Sequence, residues 1–141
     1  MKAFFDTSVL VAAFLGDHEF HASSLRAFLR FKRQQAGCAA HSLAEVYSTL
    51  TRMPGHYRLS GDQALLFLQD IRDRLTVVAL DAGEYYAAFE QAAALGVTGG
   101  TIYDALLAHC ATKAGAEAIY TWNVKHFRQF GPKVAKRIKT P

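Results

Sequence analysis

Three carboxylates that lie far apart in this chain each sit beside apolar neighbours, and a fourth stretch of the same character carries an amide. Asp6 closes the apolar run Ala3-Phe4-Phe5 and precedes Thr7 and Ser8. Glu45 lies in Ser42-Leu43-Ala44-Glu45-Val46-Tyr47 and Asp104 in Thr101-Ile102-Tyr103-Asp104-Ala105-Leu106. Asn123 ends Tyr120-Thr121-Trp122-Asn123. Acids are seldom placed beside buried positions unless they are paired or bound to metal. Three of them converging from separate parts of the chain would suit Mg²⁺ or Mn²⁺ and phosphodiester chemistry.

Each acid taken alone has a simpler reading. Asp is among the best helix N-caps, so Asp6 before Thr7-Ser8 reads equally as a cap. Glu45 reads as a solvated residue on the polar stripe that it shares with Thr49 and Arg52. Asp104 falls in a first helical turn, where an acid complements the helix dipole. His126 has two readings, a phosphate or proton contact and a residue packed at a loop edge. His41 reads as a helix-start residue and His109 as a core-face residue. No His/Cys grouping has zinc-site spacing, and Gly99-Gly100 is too short for a phosphate-cradling loop.

The elements that must position these groups alternate along the chain. Strands are expected at Lys2–Phe5, Gly37–Ala40, Thr76–Leu80 and Ala118–Thr121, with an edge strand at Val134–Ile138. Helices are expected at Val9–Leu15, His18–Gln35, Ser42–Arg52, Ser60–Arg72, Ala82–Leu95 and Thr101–Lys113. Within them, Leu25, Phe28, Leu29 and Lys32 follow helical spacing, as do Leu43, Val46, Tyr47 and Leu50, and Leu65, Leu68 and Ile71. Met53-Pro54-Gly55 stops one helix and Gly115 another. Alternation of this kind predicts an α/β domain whose central, mostly parallel sheet is covered on both faces. Active sites of such sheets gather beyond the carboxyl ends of the strands. Asp6 and the Thr121–Asn123 stretch each follow a strand directly.

The bulk numbers set limits. With 141 residues the chain, residues 1–141, reads as one domain with a sizeable core. Hydrophobic residues make up 51% and charged ones 20%, which excludes a disordered chain. No apolar run approaches a membrane span, and an acid as early as Asp6 argues against a secretory signal. Cys38 and Cys110 form no CxxC pair and read as buried free thiols, which suits a cytoplasmic location. Net charge is +4, unevenly spread. After Glu117 there is no acid, while Lys125, Arg128, Lys133, Lys136, Arg137 and Lys139 follow. Such a basic end reads as a footprint for polyanions or as a solvated tail.

In combination, the four stretches resemble the PIN domain, and within it the VapC-type toxins of toxin–antitoxin pairs. Phe4 to Leu10 resembles the family's opening apolar–Asp–Thr–Ser motif, and Ser42 to Val46 its second, with the acid on a helix. Tyr103 to Ala108 resembles the third and Thr121 to Phe127 the fourth. The resemblance runs across nearly the whole chain. It implies a PIN-like three-layer α/β/α sandwich with a five-stranded sheet, and a divalent-metal endoribonuclease. It also implies a cognate antitoxin partner and a homodimer. It assigns Asp6, Glu45 and Asp104 to Mg²⁺ or Mn²⁺ and adds Asn123 to the catalytic set. Thr7, Ser8 and Thr121 would support them, and Arg52, Lys125 and Arg128 would meet RNA phosphates. Where many relatives carry an acid in the fourth motif, at Asn123 or His126, this chain is neutral, which puts a full two-metal mechanism in doubt. Two other readings stay open: a module that binds RNA without cutting it, and a PIN nuclease of RNA processing with no antitoxin. An apolar set at Leu10, Phe14, Leu15, Phe20, Leu25, Phe28, Leu29 and Phe31 either packs inward or forms in part a groove for an antitoxin helix.

Overall fold

A computed structural model describes all residues 1–141. Five strands, β1 (Ala3–Phe5), β2 (Ala36–Ala39), β3 (Thr76–Val78), β4 (Ala118–Tyr120) and β5 (Ile138–Lys139), form one sheet in the order β3-β2-β1-β4-β5. Every pairing is parallel. Parallel neighbours need long crossovers, which helices supply. They are α1 (Thr7–Phe14), α2 (His21–Arg30), α3 (Ala40–Thr51), α4 (Gly61–Arg74), α5 (Ala82–Ala94), α6 (Thr101–Lys113), α7 (Val124–Arg128) and α8 (Pro132–Ala135). The chain winds outward from β1 through β2 to β3, then returns to β4 on the other side of β1. The strand order therefore reverses between β1 and β4, and the crevice above their carboxyl ends is where this class of sheet binds ligands.

Alternating side chains of the strands feed two cores. Ala3, Phe5 and Cys38 face one, shared with Leu10, Val46, Leu50 and Ile71 of α1, α3 and α4. Phe4, Ala39 and Ile119 face the other, shared with Leu107, Ala111 and Phe127 of α6 and α7. Period-two alternation in a sheet covered on both faces explains why the strands read as unbroken apolar runs. Both cysteines are buried and free. No helix is long and apolar enough to cross a membrane.

Several expected elements shift. The helix expected over His18–Gln35 is shorter: α2 covers His21–Arg30, and a 3₁₀ turn occupies Arg33–Gln35. Local hydrogen bonds set its start. His18 Nδ1 accepts the Phe20 N–H at 3.0 Å, and His21 Nδ1–H donates to the Ala12 carbonyl at 2.9 Å. At its end Phe31 turns extended to pack on Phe5 and Tyr120. The edge strand expected at Val134–Ile138 is instead α8 followed by β5 at Ile138–Lys139. Gly131, at φ 97°, turns the chain so that Pro132 occupies the first helical position, where its fixed φ and missing N–H do no harm. On α4 the inward stripe is Ala64, Leu68 and Ile71, whereas Leu65 is 56% exposed and faces out.

Gly37 shows how tightly β2 is held. A Cβ there would meet the Thr76 carbonyl oxygen at 2.8 Å and Met1 Sδ at 2.9 Å. Gly37→Ala is therefore expected to destabilise the fold by about 1–3 kcal/mol through overpacking. Gly16→Ala, at a site with no neighbour within 4 Å, is expected to leave it nearly unchanged. Urea denaturation of both variants checks the contrast.

Candidate active site

The cleft at the strand-order reversal, about 430 Å³ in volume, is lined by Asp6, Glu45, Asp104 and Asn123 together with Thr7, Ser8, His18, Phe20 and Trp122. All four residues singled out from the sequence thus meet in one place. Asp6 leaves the end of β1 and Asn123 follows β4, while Glu45 sits in the second turn of α3 and Asp104 in the first turn of α6.

Asp6 holds the N-cap position of α1 yet makes no side-chain cap bond. The residue is 2% exposed, and its carboxylate bonds side-chain hydroxyls in place of the helix's free N–H groups. Oδ2 accepts from Ser8 Oγ at 2.7 Å and from Thr121 Oγ1 at 2.8 Å. The two hydroxyls are themselves pinned, because Ser8 Oγ accepts the Trp122 N–H at 3.0 Å and Thr121 Oγ1 accepts the Asn123 N–H at 2.9 Å. A buried carboxylate is tolerated because donors replace the water it has lost. The capping reading of Asp6 is thereby replaced.

Glu45 is not the solvated residue of the simpler reading. Burial, then repulsion from Asp6 and Asp104, push its carboxyl from an ordinary 4.5 up to about 7, against a lowering hydrogen bond from Thr7. That bond runs from Thr7 Oγ1 to Glu45 Oε1 at 3.4 Å. Asp104 is pushed from 3.8 up to about 6, first by burial and then by Asp6, while His126 holds it down. His126 Nδ1–H donates to Asp104 Oδ2 at 2.7 Å, so the packed-edge reading of His126 gives way to a contact with the acid cluster. Three carboxyls that repel one another in partly dry surroundings are an electrostatic load on the fold. As they stand, no three metal-ligating side chains close on a common point.

His41, read from the sequence as a helix-start residue, does lie in the first turn of α3, and its contacts reach further. Its Nε2–H donates to the Tyr103 carbonyl on α6 at 3.0 Å and lies 3.7 Å from Glu45 Oε1. Burial holds this ring below its ordinary value, against the raising pull of the Tyr103 carbonyl and of Asp6. It ties the helix of Glu45 to the helix of Asp104, and its i,i+4 spacing to Glu45 was the available signal. His18, Phe20 and Trp122 also line the cleft without a sequence signal of their own. Arg52, Lys125 and Arg128 are exposed at the end of α3 and on α7, and none lines the cleft. In the basic end, Arg137 is taken up internally: it donates to the carbonyls of Lys133 and Ala116 and to Thr112 Oγ1.

Comparison with known proteins decides the family. The PIN domain model matches residues 3–131. The chain belongs to the PIN domain family. Within that family it is 40% identical over 114 residues to Ribonuclease VapC40 of Mycobacterium tuberculosis (strain CDC 1551 / Oshkosh), covering 81% of each chain. It is 32% identical over 116 residues to Ribonuclease VapC27 of strain H37Rv, covering 79% of this chain and 78% of that one. Among solved structures, Mycobacterium tuberculosis VapC20, described as a sarcin-ricin loop cleaving toxin, superposes with a TM-score of 0.72 at 19% identity. That match covers 89% of this chain and 92% of the other. VapBC2 of Rickettsia felis, bound to a promoter DNA fragment, gives 0.68 at 18% identity, covering 100% and 99%. The PIN fold expected from the four motifs is thus the fold observed, with an all-parallel sheet in place of a mostly parallel one.

The raised carboxyls of this PIN domain set its response to pH. Glu45 and Asp104 keep their protons longer in the folded than in the unfolded chain, so the stability linked to them is full below their ordinary values. It is lost as pH rises through about 6 and about 7. In chelator, the melting temperature is expected to fall as pH rises from the ordinary values of the two carboxyls to about 7, and to level off above that. Glu45→Gln is expected to flatten that fall. A thermal-denaturation series in pH, run on both proteins, checks it.

Proposed function

We propose that the chain is the toxin ribonuclease of a toxin–antitoxin pair and hydrolyses RNA phosphodiester bonds with a divalent ion held by Asp6, Glu45 and Asp104. The observation that carries this reading is the meeting of three mutually repelling carboxyls and Asn123 in one cleft at the sheet's strand-order reversal. The names of the proteins this chain resembles, ribonucleases of the VapC type and the VapBC2 complex, support both halves of it.

The donor set fits a hard cation. It is made of carboxylate oxygens, with an amide oxygen beside them, and this favours Mg²⁺ or Mn²⁺ over a softer metal. Repulsion accounts for the carboxyls standing apart, and a cation between them would remove it. When bound, such an ion polarises the scissile phosphate and acidifies a water for in-line attack. The chain's own residues prepare the place for it. Ser8 and Thr121 occupy Oδ2 of Asp6 and so aim its other oxygen. Thr7 steadies Glu45, and His126 donates to Asp104 and partly offsets the rise that burial and Asp6 impose on it. Asn123 offers a carbonyl oxygen to a water or to the ion without adding charge, which supports a single tightly held ion over two. Arg52, Lys125 and Arg128 stand back from the cleft, where phosphates flanking the cut would reach them. Asp6→Asn is expected to lower cleavage by more than the roughly 10–100-fold typical of losing a supporting hydrogen bond, and to lower Mn²⁺ affinity in parallel. Initial rates on a mixed RNA substrate and calorimetric titration check the two effects.

The antitoxin site is narrower than the whole apolar N-terminal set. Leu10 and Phe28 are buried in the core. Phe14, Leu15 and Phe31 pack against that core and are partly buried, so most of the set faces inward. Leu25 and Leu29 of α2, the latter 49% exposed, instead line a groove of about 1160 Å³ with Tyr120 and Pro141. An amphipathic helix of the antitoxin would lie there. Homodimerisation would use other exposed apolar side chains, Leu65 and Leu66 on α4 or Tyr86 and Phe89 on α5. Leu29→Asp is expected to leave the fold and RNA cleavage unchanged while weakening the complex with the product of the adjacent small gene by roughly 10-fold or more. Co-purification and surface plasmon resonance measure it.

A further inference from the structure

The geometry points to a base-stacking platform beside the acids: the outer face of Phe20, backed by Trp122, receives one unpaired base of the RNA substrate.

Phe20 and Trp122 lie 3.9 Å apart between ring centroids and 14° from parallel, and both line the acid cleft. Trp122 is the inner member. It packs against the α1–α4 core, its Nε1–H donates to buried Ser24 Oγ at 2.9 Å, and its backbone N–H donates to Ser8 Oγ. That same Ser8 hydroxyl donates to Asp6, so the indole is registered to the acid through one side chain. Phe20 is the outer member and is not part of that core packing. Its backbone is held by His18, whose Nδ1 accepts the Phe20 N–H and whose ring stands 5.9 Å away at 44°.

Two features favour a base over other occupants. The platform is flat and fixed before any ligand arrives, and unpaired bases are held on aromatic faces of this kind. The turn Gly16-Asp17-His18-Glu19-Phe20 carries two acids and no Lys or Arg, so it repels a phosphate and leaves the π-face as its attractive surface. With His18 Nδ1 occupied as an acceptor, its proton sits on Nε2, which makes the ring a donor to a base edge. The inference rests on the nuclease reading and adds to it a determinant of which RNA is held: an unpaired nucleotide next to the cut.

The test uses the full chain, with Ca²⁺ replacing Mg²⁺, and short single-stranded RNA 8-mers read by fluorescence anisotropy. One 8-mer is intact, and one of equal length and charge carries a single abasic position scanned along it. Phe20→Leu is expected to weaken binding of the intact oligonucleotide about 5- to 100-fold. Phe20→Tyr should restore it, and one abasic position should bind Phe20→Leu and the parent alike. Mn²⁺ titration of Phe20→Leu should match the parent, and the near-ultraviolet dichroism of Trp122, the one tryptophan in the chain, reports that the indole stays seated. Equal affinity of parent and Phe20→Leu for every oligonucleotide overturns the platform while leaving the nuclease reading intact. So does a loss that every abasic variant shares. If Phe20→Leu leaves RNA binding unchanged but weakens antitoxin binding, the pair belongs to the protein partner and the proposal is wrong. A parent that neither binds nor cuts any RNA overturns the nuclease reading, and the platform with it.

Discussion

A carboxylate buried at the end of the central strand is the constraint on which the rest of this molecule depends. Asp6 has lost nearly all contact with solvent, and an uncompensated charge in that position would cost several kcal/mol. Compensation comes from two hydroxyls, one from its own motif and one from β4's end, over a hundred residues away. Those hydroxyls in turn accept the N–H groups of Trp122 and Asn123. The first and fourth motifs are therefore one hydrogen-bonded unit. The strand order makes this possible, because β1 and β4 are neighbours only where the winding reverses.

Around that unit the electrostatics run against stability. Glu45 and Asp104 are held where each feels Asp6, and burial keeps solvent from screening them. Such an arrangement has no structural benefit in itself, since the fold's two apolar cores would close without it. Perturbed carboxyls gathered at a cleft point to a functional site, and the proposed cation would relieve their repulsion. The histidines moderate the load unequally. His126 meets Asp104 directly, whereas His41 acts chiefly as a strut from α3 to the Tyr103 carbonyl of α6.

The cleft has two characters side by side. One wall is acidic and polar, formed by motif residues. The other is aromatic, formed by Phe20 on Trp122 with His18 beyond. The basic side chains stand farther out, at the end of α3 and on α7. Under the proposed reading this layering would separate the work: acids at the reacting phosphate, flat rings for bases, and cations for the flanking backbone.

The alternation of strands and helices, the two-sided sheet and the three acids were legible in the sequence, whereas the short helices α7 and α8 after β4 were not. The fold reading rests on local causes: unbroken apolar strands, amphipathic periods, and Pro and Gly stops, whereas the acids stand out together through the resemblance of the four motifs to the PIN domain. The errors were local too. The apolar spacing around α2 continues through Phe20 and Phe31 and predicts a longer helix, whereas ring-nitrogen bonds at His18 and His21 and the inward turn of Phe31 bound it. The apolar Val134 predicts an earlier strand, while Gly131 and Pro132 start a helix there. What the sequence by itself determined was the type and order of the parts, since propensity and pattern act over a few residues. Only the tertiary structure decided that the Asp6 carboxylate makes no cap bond, that Arg137 is spent inside, and that Phe20 lies flat on Trp122 beside the acids. Those facts depend on which distant side chains become neighbours, and that is settled by the reversal between β1 and β4, not by any stretch of chain.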